Sequence, residues 1–184
     1  MAAGGGWQSG ATGWVAGGAG GGVFESAAEM AAADGDQVMF VNGGGSFTQT
    51  LSGVPLENDR RYILMAEVGN RGGVVPFAGY QLELLAGGTT IAMDDNSLGV
   101  PGTGLFYTTS VIDFRTFSDH PLAGQDLGIR LTALGSNGPT VYNHTYFDNI
   151  RLFSVAVPEP STLALALLGL VGLAGYGSRR RRNR

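Results

Sequence analysis

The feature that most constrains this chain is a run of 18 residues near its C-terminus, Ser161 to Ser178 (STLALALLGLVGLAGYGS), that carries no charge. As an α-helix it would be about 27 Å long, close to the thickness of the hydrocarbon core of a bilayer. Pro158 and Pro160 stop a helix from extending upstream, and the hydroxyls of Ser161 and Thr162 suit an N-cap, so the segment has a defined start. Its other end is marked by Arg179, Arg180, Arg181, Arg182 and Arg184. Arginines beside an apolar span stay cytoplasmic, which predicts a single C-terminal transmembrane helix with the rest of the chain outside, N-out and C-in. A helix packed on a soluble core would show a polar face, and this one is apolar all round.

Val157, Pro158, Glu159, Pro160 and Ser161, then the apolar stretch, then the arginines, resemble in that order the PEP-CTERM sorting signal of Gram-negative and related bacteria. The resemblance implies recognition by an exosortase, a membrane-embedded cysteine transpeptidase-like enzyme. Processing would occur near the Pro-Glu-Pro motif, with Glu159 a recognition residue rather than a catalyst. It also implies residence at the cell membrane during sorting and then at the cell surface or in an extracellular matrix of exopolysaccharide or biofilm. An exported chain is expected to carry an export signal, yet MAAGGGWQSG shows no basic region followed by an apolar one. A start upstream of Met1 is therefore expected.

The sorting segment, 157–184, leaves residues 1–156 as one extracytoplasmic domain. Residues 1 to 157 hold 14 acidic residues against 6 arginines, a net charge of −8, while the tail carries five arginines. An acidic body argues against nucleic acid as a partner, because neutralising phosphates needs a basic face. The chain has no cysteine and no lysine, which removes disulfides, thiolate metal sites and two of the usual nucleophiles.

In the body the hydrophobic period is two. Leu127, Ile129 and Leu131 alternate with Gly128, Arg130 and Thr132, and Ile150 and Leu152 with Asn149 and Arg151. Further strands are predicted at 37–42, 45–51, 60–68, 79–85, 89–93, 105–117 and 146–155. Between them lie turn signals such as Asn42-Gly43, Glu57-Asn58-Asp59 and Gly87-Gly88. Such a pattern predicts an all-β fold, an antiparallel jelly-roll β-sandwich. Glu25 to Ala33 is the one helix-prone stretch outside the tail, and the Gly17 to Gly22 run reads as a flexible loop.

Trp14, Gly22-Val23-Phe24, Asp34 to Val38, Gly45 to Leu51 and Phe147 to Leu152 resemble the extracellular jelly-roll modules common in PEP-CTERM proteins. Those modules are similar to carbohydrate-binding and galactose-binding-like domains. They open with a strand carrying an Asn-x-x-Phe-Glu type motif that this chain lacks, so a first strand is expected to be missing. By the same resemblance Asp148 is a candidate ligand of a structural Ca²⁺; the plainer role is to accept backbone hydrogen bonds at a strand entry.

Catalytic chemistry is poorly supplied, and the body is expected to be non-enzymatic, with no catalytic residue and no cofactor beyond that calcium. His120 and His144 fit hydrogen-bonded structural roles. A glycosidase would need two carboxylates held about 5 to 10 Å apart, and the spacing of Asp94, Asp95, Asp113, Asp119 and Asp126 selects no pair. Sugar binding would use aromatic rings beside polar groups, for which Trp7, Trp14, Phe77, Tyr80, Tyr107, Tyr142 and Tyr146 are available. Trp14 and Tyr62 fit core positions, whereas Arg71, Phe77 and Tyr80 could form a rim. The expected function is thus a non-enzymatic surface or matrix protein. The alternatives are a carbohydrate-binding module for exopolysaccharide and a weak carboxylate-dependent glycosidase.

Overall fold

The computed structural model describes residues 6–25, 31–71, 75–103, 107–135 and 143–157. They form eleven strands: β1 (Trp7–Ser9), β2 (Val15–Gly18), β3 (Gly21–Glu25), β4 (Gln37–Asn42), β5 (Gly45–Pro55), β6 (Arg60–Gly69), β7 (Tyr80–Ala86), β8 (Thr89–Asp95), β9 (Tyr107–Arg115), β10 (Asp126–Ala133) and β11 (His144–Ala156). All strand pairs are antiparallel, in a six-stranded sheet ordered β1-β3-β4-β11-β6-β9 and a five-stranded sheet ordered β2-β5-β10-β7-β8. The result is the expected all-β, jelly-roll-like sandwich.

The two-residue period decides what faces inward. Tyr62, Leu64, Ala66 and Val68 of β6, Tyr80, Leu82, Leu84 and Ala86 of β7, and Leu127, Ile129, Leu131 and Ala133 of β10 meet in one core with Met39, Val41, Phe47 and Phe147. Each fully buried Leu there contributes about 1.5–3 kcal/mol relative to exposure. The predicted strands recur with their ends moved by a few residues, and Gly87 and Gly88, with φ of 56° and 80°, form the two-residue hairpin between β7 and β8. Both central residues need positive φ in such a turn, which glycine adopts without strain.

The glycine run is structured, contrary to the flexible-loop expectation. Gly17 and Gly18 end β2, Ala19 and Gly20 turn, and Gly21 and Gly22 begin β3 in the other sheet. The chain crosses between sheets against Gly43 to Gly45, with the Asn42 amide donating to the Gly20 carbonyl at 2.9 Å. A Cβ on Gly18 would strike the Gly44 carbonyl oxygen, and one on Gly45 would lie 2.5 Å from that of Gly20. Packing of backbone on backbone is the reason for the glycines.

Glu25 closes β3 and Ala31 to Ala33 are not helical; residues 26–30 of the predicted helix lie outside the described residues. So do Pro158, Glu159, Pro160, the Ser161 to Ser178 span and the arginine cluster. No helix among the described residues is long and apolar enough to cross a membrane. The described body ends at Val157, whose amide donates to the Asp59 carbonyl at 2.9 Å.

Candidate functional site

On the six-stranded sheet a second apolar cluster lies on the face turned away from the core: Val38 and Tyr146 are buried, with Phe24, Phe40 and Tyr107 packed against them. Strand register brings them together from distant parts of the chain. Gly22, Phe40, Tyr146, Gly69 and Tyr107 are successive cross-strand partners from β3 to β9, while Trp7 pairs with Phe24 and Phe24 with Val38. Phe24 meets Tyr146 edge-on at 5.6 Å, Phe40 lies 5.4 Å from the His144 ring, and Trp7 stands 6.4 Å from Phe40 with 69% of its surface exposed. Gly69 interrupts the ring row between Tyr146 and Tyr107, and Gly22 ends it. The face is an aromatic platform with one free-standing indole at its edge.

Its polar side is formed by Asp148, Glu67 and Thr109, neighbours across β11, β6 and β9. Asp148 is 8% exposed and accepts from the Ala33 amide at 2.5 Å, the Asp34 amide at 3.2 Å and the Asn149 amide at 2.7 Å. The Tyr107 hydroxyl donates to the Ala31 carbonyl at 2.7 Å, so residues 31 to 34 are strapped onto the same face. Burial pushes the Asp148 carboxyl above its ordinary range, with the nearby Asp34 charge adding to the effect against its three amide donors. Burial also raises the Tyr107 phenol well above its usual value, helped by Asp148, Tyr146 and Glu67. His144 is held below the usual imidazole value by burial and by the Arg71 charge, which keeps it neutral at physiological pH.

A β-bulge sets the direction of Asp148. Asn149, at φ 50°, is the extra residue in β11, and the register with β6 shifts between Asp148 and Arg151. Tyr146 and Asp148 precede it on the outer face, and Ile150 and Leu152 beyond it still reach the core. Both carboxylate oxygens of Asp148 hold backbone amides, which is the plainer of the two roles expected for it.

Tyr80 cannot belong to a glycan rim with Arg71 and Phe77. Tyr80 is completely buried and donates its hydroxyl to Asp94 at 2.6 Å, because its position in β7 faces the core. Phe77 is half-buried against the core and bridges to His144, while Arg71 lies close enough to His144 to shift it. Asp94 and Asp95 point to opposite faces of β8. Asp94 faces inward and also accepts from the Ser110 hydroxyl at 2.6 Å and the Ser97 amide at 3.1 Å, whereas Asp95 is exposed and held by Gln81. Asp113 is engaged twice by Arg61, at 2.8 and 2.6 Å, and Asp126 caps the Gly53 amide. Asp94 thus lies between the sheets, whereas Asp95 and Asp113 stand on exposed faces of different sheets. His120 is hydrogen-bonded within its loop, its Nδ1 accepting from the Leu122 amide at 3.2 Å.

The platform was not apparent from the sequence as a site. Phe24 and Phe40 alternate with core residues in unbroken apolar runs, Val23-Phe24 and Val38 to Val41, and such runs signal strands covered on both faces.

Two family models divide the chain. The HpiC1-like model, described as HpiC1 cyclase, matches residues 2–153. The body belongs to this HpiC1-like family. The second, the PEP-CTERM protein-sorting motif, matches residues 156–182, so the C-terminal segment is the sorting signal its residues resemble. The HpiC1-like body is similar to a solved Stig cyclase, Fisc from Fischerella sp. TAU, in complex with (3Z)-3-(1-methyl-2-pyrrolidinylidene)-3H-indole: 26% identity, TM-score 0.69, over 83% of this chain and 89% of that one. It is also similar to a cyclase from Fischerella sp. TAU in complex with 4-(1H-indol-3-yl)butan-2-one: 25% identity, TM-score 0.69, over 82% of this chain and 89% of that one. An arabinose-bound α-L-arabinofuranosidase shares the fold alone, at 13% identity and TM-score 0.52, over 80% of this chain and 23% of that one. No curated protein matches the chain. The sorting motif makes this an exported protein, anchored in the membrane during sorting by an exosortase and then resident at the surface or outside the cell.

Proposed function

We propose that the HpiC1-like body is a surface-displayed binding module whose aromatic platform takes a flat, largely apolar ring ligand of indole type, without transforming it. The observation that carries this reading is the indole of Trp7, 69% exposed beside the half-buried rings of Phe40 and Phe24, with the buried Tyr146 packed edge-on against Phe24. Aromatic pairs of this kind add about 0.5–1.5 kcal/mol each beyond the area they bury. The indole ligands of the similar cyclases fit the same chemistry. A sugar would need more hydrogen-bond donors than this face offers, which makes exopolysaccharide the weaker ligand. N-out, C-in insertion by the tail would display the platform outside the cell, in a biofilm matrix or on the surface.

One observation favours a second reading, acid-catalysed cyclisation. Asp148 is buried with a raised carboxyl pKa, so protonated Asp148 could lend a proton to an electron-rich ring and recover one as product forms. Its commitment to three backbone amides supports the strap role over this one.

Calorimetric titration of the full chain with 4-(1H-indol-3-yl)butan-2-one, a soluble xylan and an acidic exopolysaccharide tests the proposal, followed by chromatography of the incubated ligand. Saturable binding of the indole, unchanged on recovery, is the expected result. Binding of polysaccharide alone would overturn it, and a new product lost in Asp148→Asn would establish the cyclase reading.

A further inference from the structure

Below Asp148 the same outer face changes character. Three cross-strand rows run toward the end of β11: Arg151, Met65 and Val111; then Phe153, Ile63 and Asp113; then Val155, Arg61 and Arg115. Phe153 is 47% exposed, Val155 51% and Val111 50%, an apolar strip studded with three of the six arginines in residues 1 to 157. Arg61 engages Asp113, the one acid in these rows, so the strip is cationic while the body as a whole is acidic.

This strip lies where the chain leaves the body. Val157 is fixed to Asp59, and Ser161, four residues on, begins the apolar span. Four residues reach at most about 14 Å even when fully extended. A tethered body is therefore held against the bilayer, and some part of its lower end must meet the headgroups. The loops at the tip carry Asp59 and Asp119, which an anionic surface repels, whereas the strip pairs apolar side chains with arginines that can lay their stems on lipid and their charges on phosphate.

We propose that, before the sorting segment is processed, this lower strip rests on the outer leaflet. Phe153, Val155 and Val111 enter the interface, and Arg61, Arg115 and Arg151 meet lipid phosphate. The inference rests on the membrane-anchored sorting of the chain.

The absence of cysteine makes the test direct. Single-cysteine variants of the full chain, Phe153→Cys and Val155→Cys on the strip, Val100→Cys at the far end and Val15→Cys on the other sheet, are nitroxide-labelled and reconstituted into phosphatidylethanolamine/phosphatidylglycerol vesicles. Collision with oxygen, against a water-soluble nickel chelate, reads the depth of each label. The expected result is a several-fold higher oxygen-to-nickel ratio at 153 and 155 than at 15 and 100, reduced by high salt or in pure phosphatidylcholine. Labels at 153 and 155 as wet as those at 15 and 100, in a chain that still floats with the vesicles, would overturn the contact while leaving the tether intact. A chain that does not float with vesicles would overturn both.

Discussion

Asp94 and Asp148 are each 8% exposed, each stand in a β-strand, and each carboxylate accepts three hydrogen bonds, yet their protonation is biased in opposite directions. At Asp94, between the sheets, burial opposes the charge, but the Ser110, Tyr80 and Ser97 donors outweigh it and hold the carboxyl below its ordinary range. At Asp148, on the outer face, burial wins, and a second carboxylate, Asp34, stands close by. The difference teaches that depth alone does not set a carboxyl's role. Asp94, in β8, is held to β7 of its own sheet by the Tyr80 hydroxyl and to β9 of the other sheet by the Ser110 hydroxyl, as a structural anion should be. Asp148 carries an unfavourable charge beside an aromatic surface, where a group that changes state can matter to a ligand.

The largest effect should come from the interior. Asp94→Ala strands the buried hydroxyls of Tyr80 and Ser110, and about 3 kcal/mol or more of stability should be lost in urea unfolding. A loss no greater than that of an exposed Asp95→Ala would erase the distinction between the two acids. Ser110→Ala should cost less, about 1–2 kcal/mol, and leave indole affinity unchanged.

Trp7→Ala should do the reverse. An exposed ring at the platform edge contributes little to folding, so stability should hold while indole affinity falls roughly three- to tenfold, read by calorimetry. Thr48→Ala, on the outer face of the five-stranded sheet, is the control and should change neither.

The pH dependence of stability should separate the acids by sign. Asp94, depressed in the folded state, contributes stability above its unfolded value of about 3.8 and loses it as pH falls through the lower folded value. Asp148, raised when folded, contributes below its unfolded value and loses that contribution as pH rises through the higher folded one. Asp148→Asn should therefore leave stability at neutral pH unchanged or higher and flatten the curve above pH 4. A large drop at pH 7 would instead make the charged form the structural one. Smallest of all, Arg61→Ala should leave the denaturation midpoint within error, because its pair with Asp113 is exposed to water.

Much of this was legible in the sequence because the signals are local. The period of two over 127–131 and the Gly87-Gly88 turn fixed strand and hairpin without reference to neighbours. The burial of Tyr80 is not legible for the opposite reason: it lies close in sequence to loop residues and to Arg71, but its pairing with Ala133 and its facing direction in β7 bury it. The role of the Gly17 to Gly22 run is hidden because glycine required for close backbone approach looks, in one dimension, like glycine that confers freedom.

By itself the sequence determined the address and the class: an apolar span between Pro158-Glu159-Pro160 and five arginines, preceded by alternating strands. Both depend on residues adjacent in the chain. Only the tertiary structure decided the site, because sheet order β1-β3-β4-β11-β6-β9 places residues 7, 24, 40, 107 and 146 side by side and divides Asp94 from Asp95 across one strand. Register between distant strands is settled by long-range packing, and nothing local to any of these residues records which neighbours it will meet.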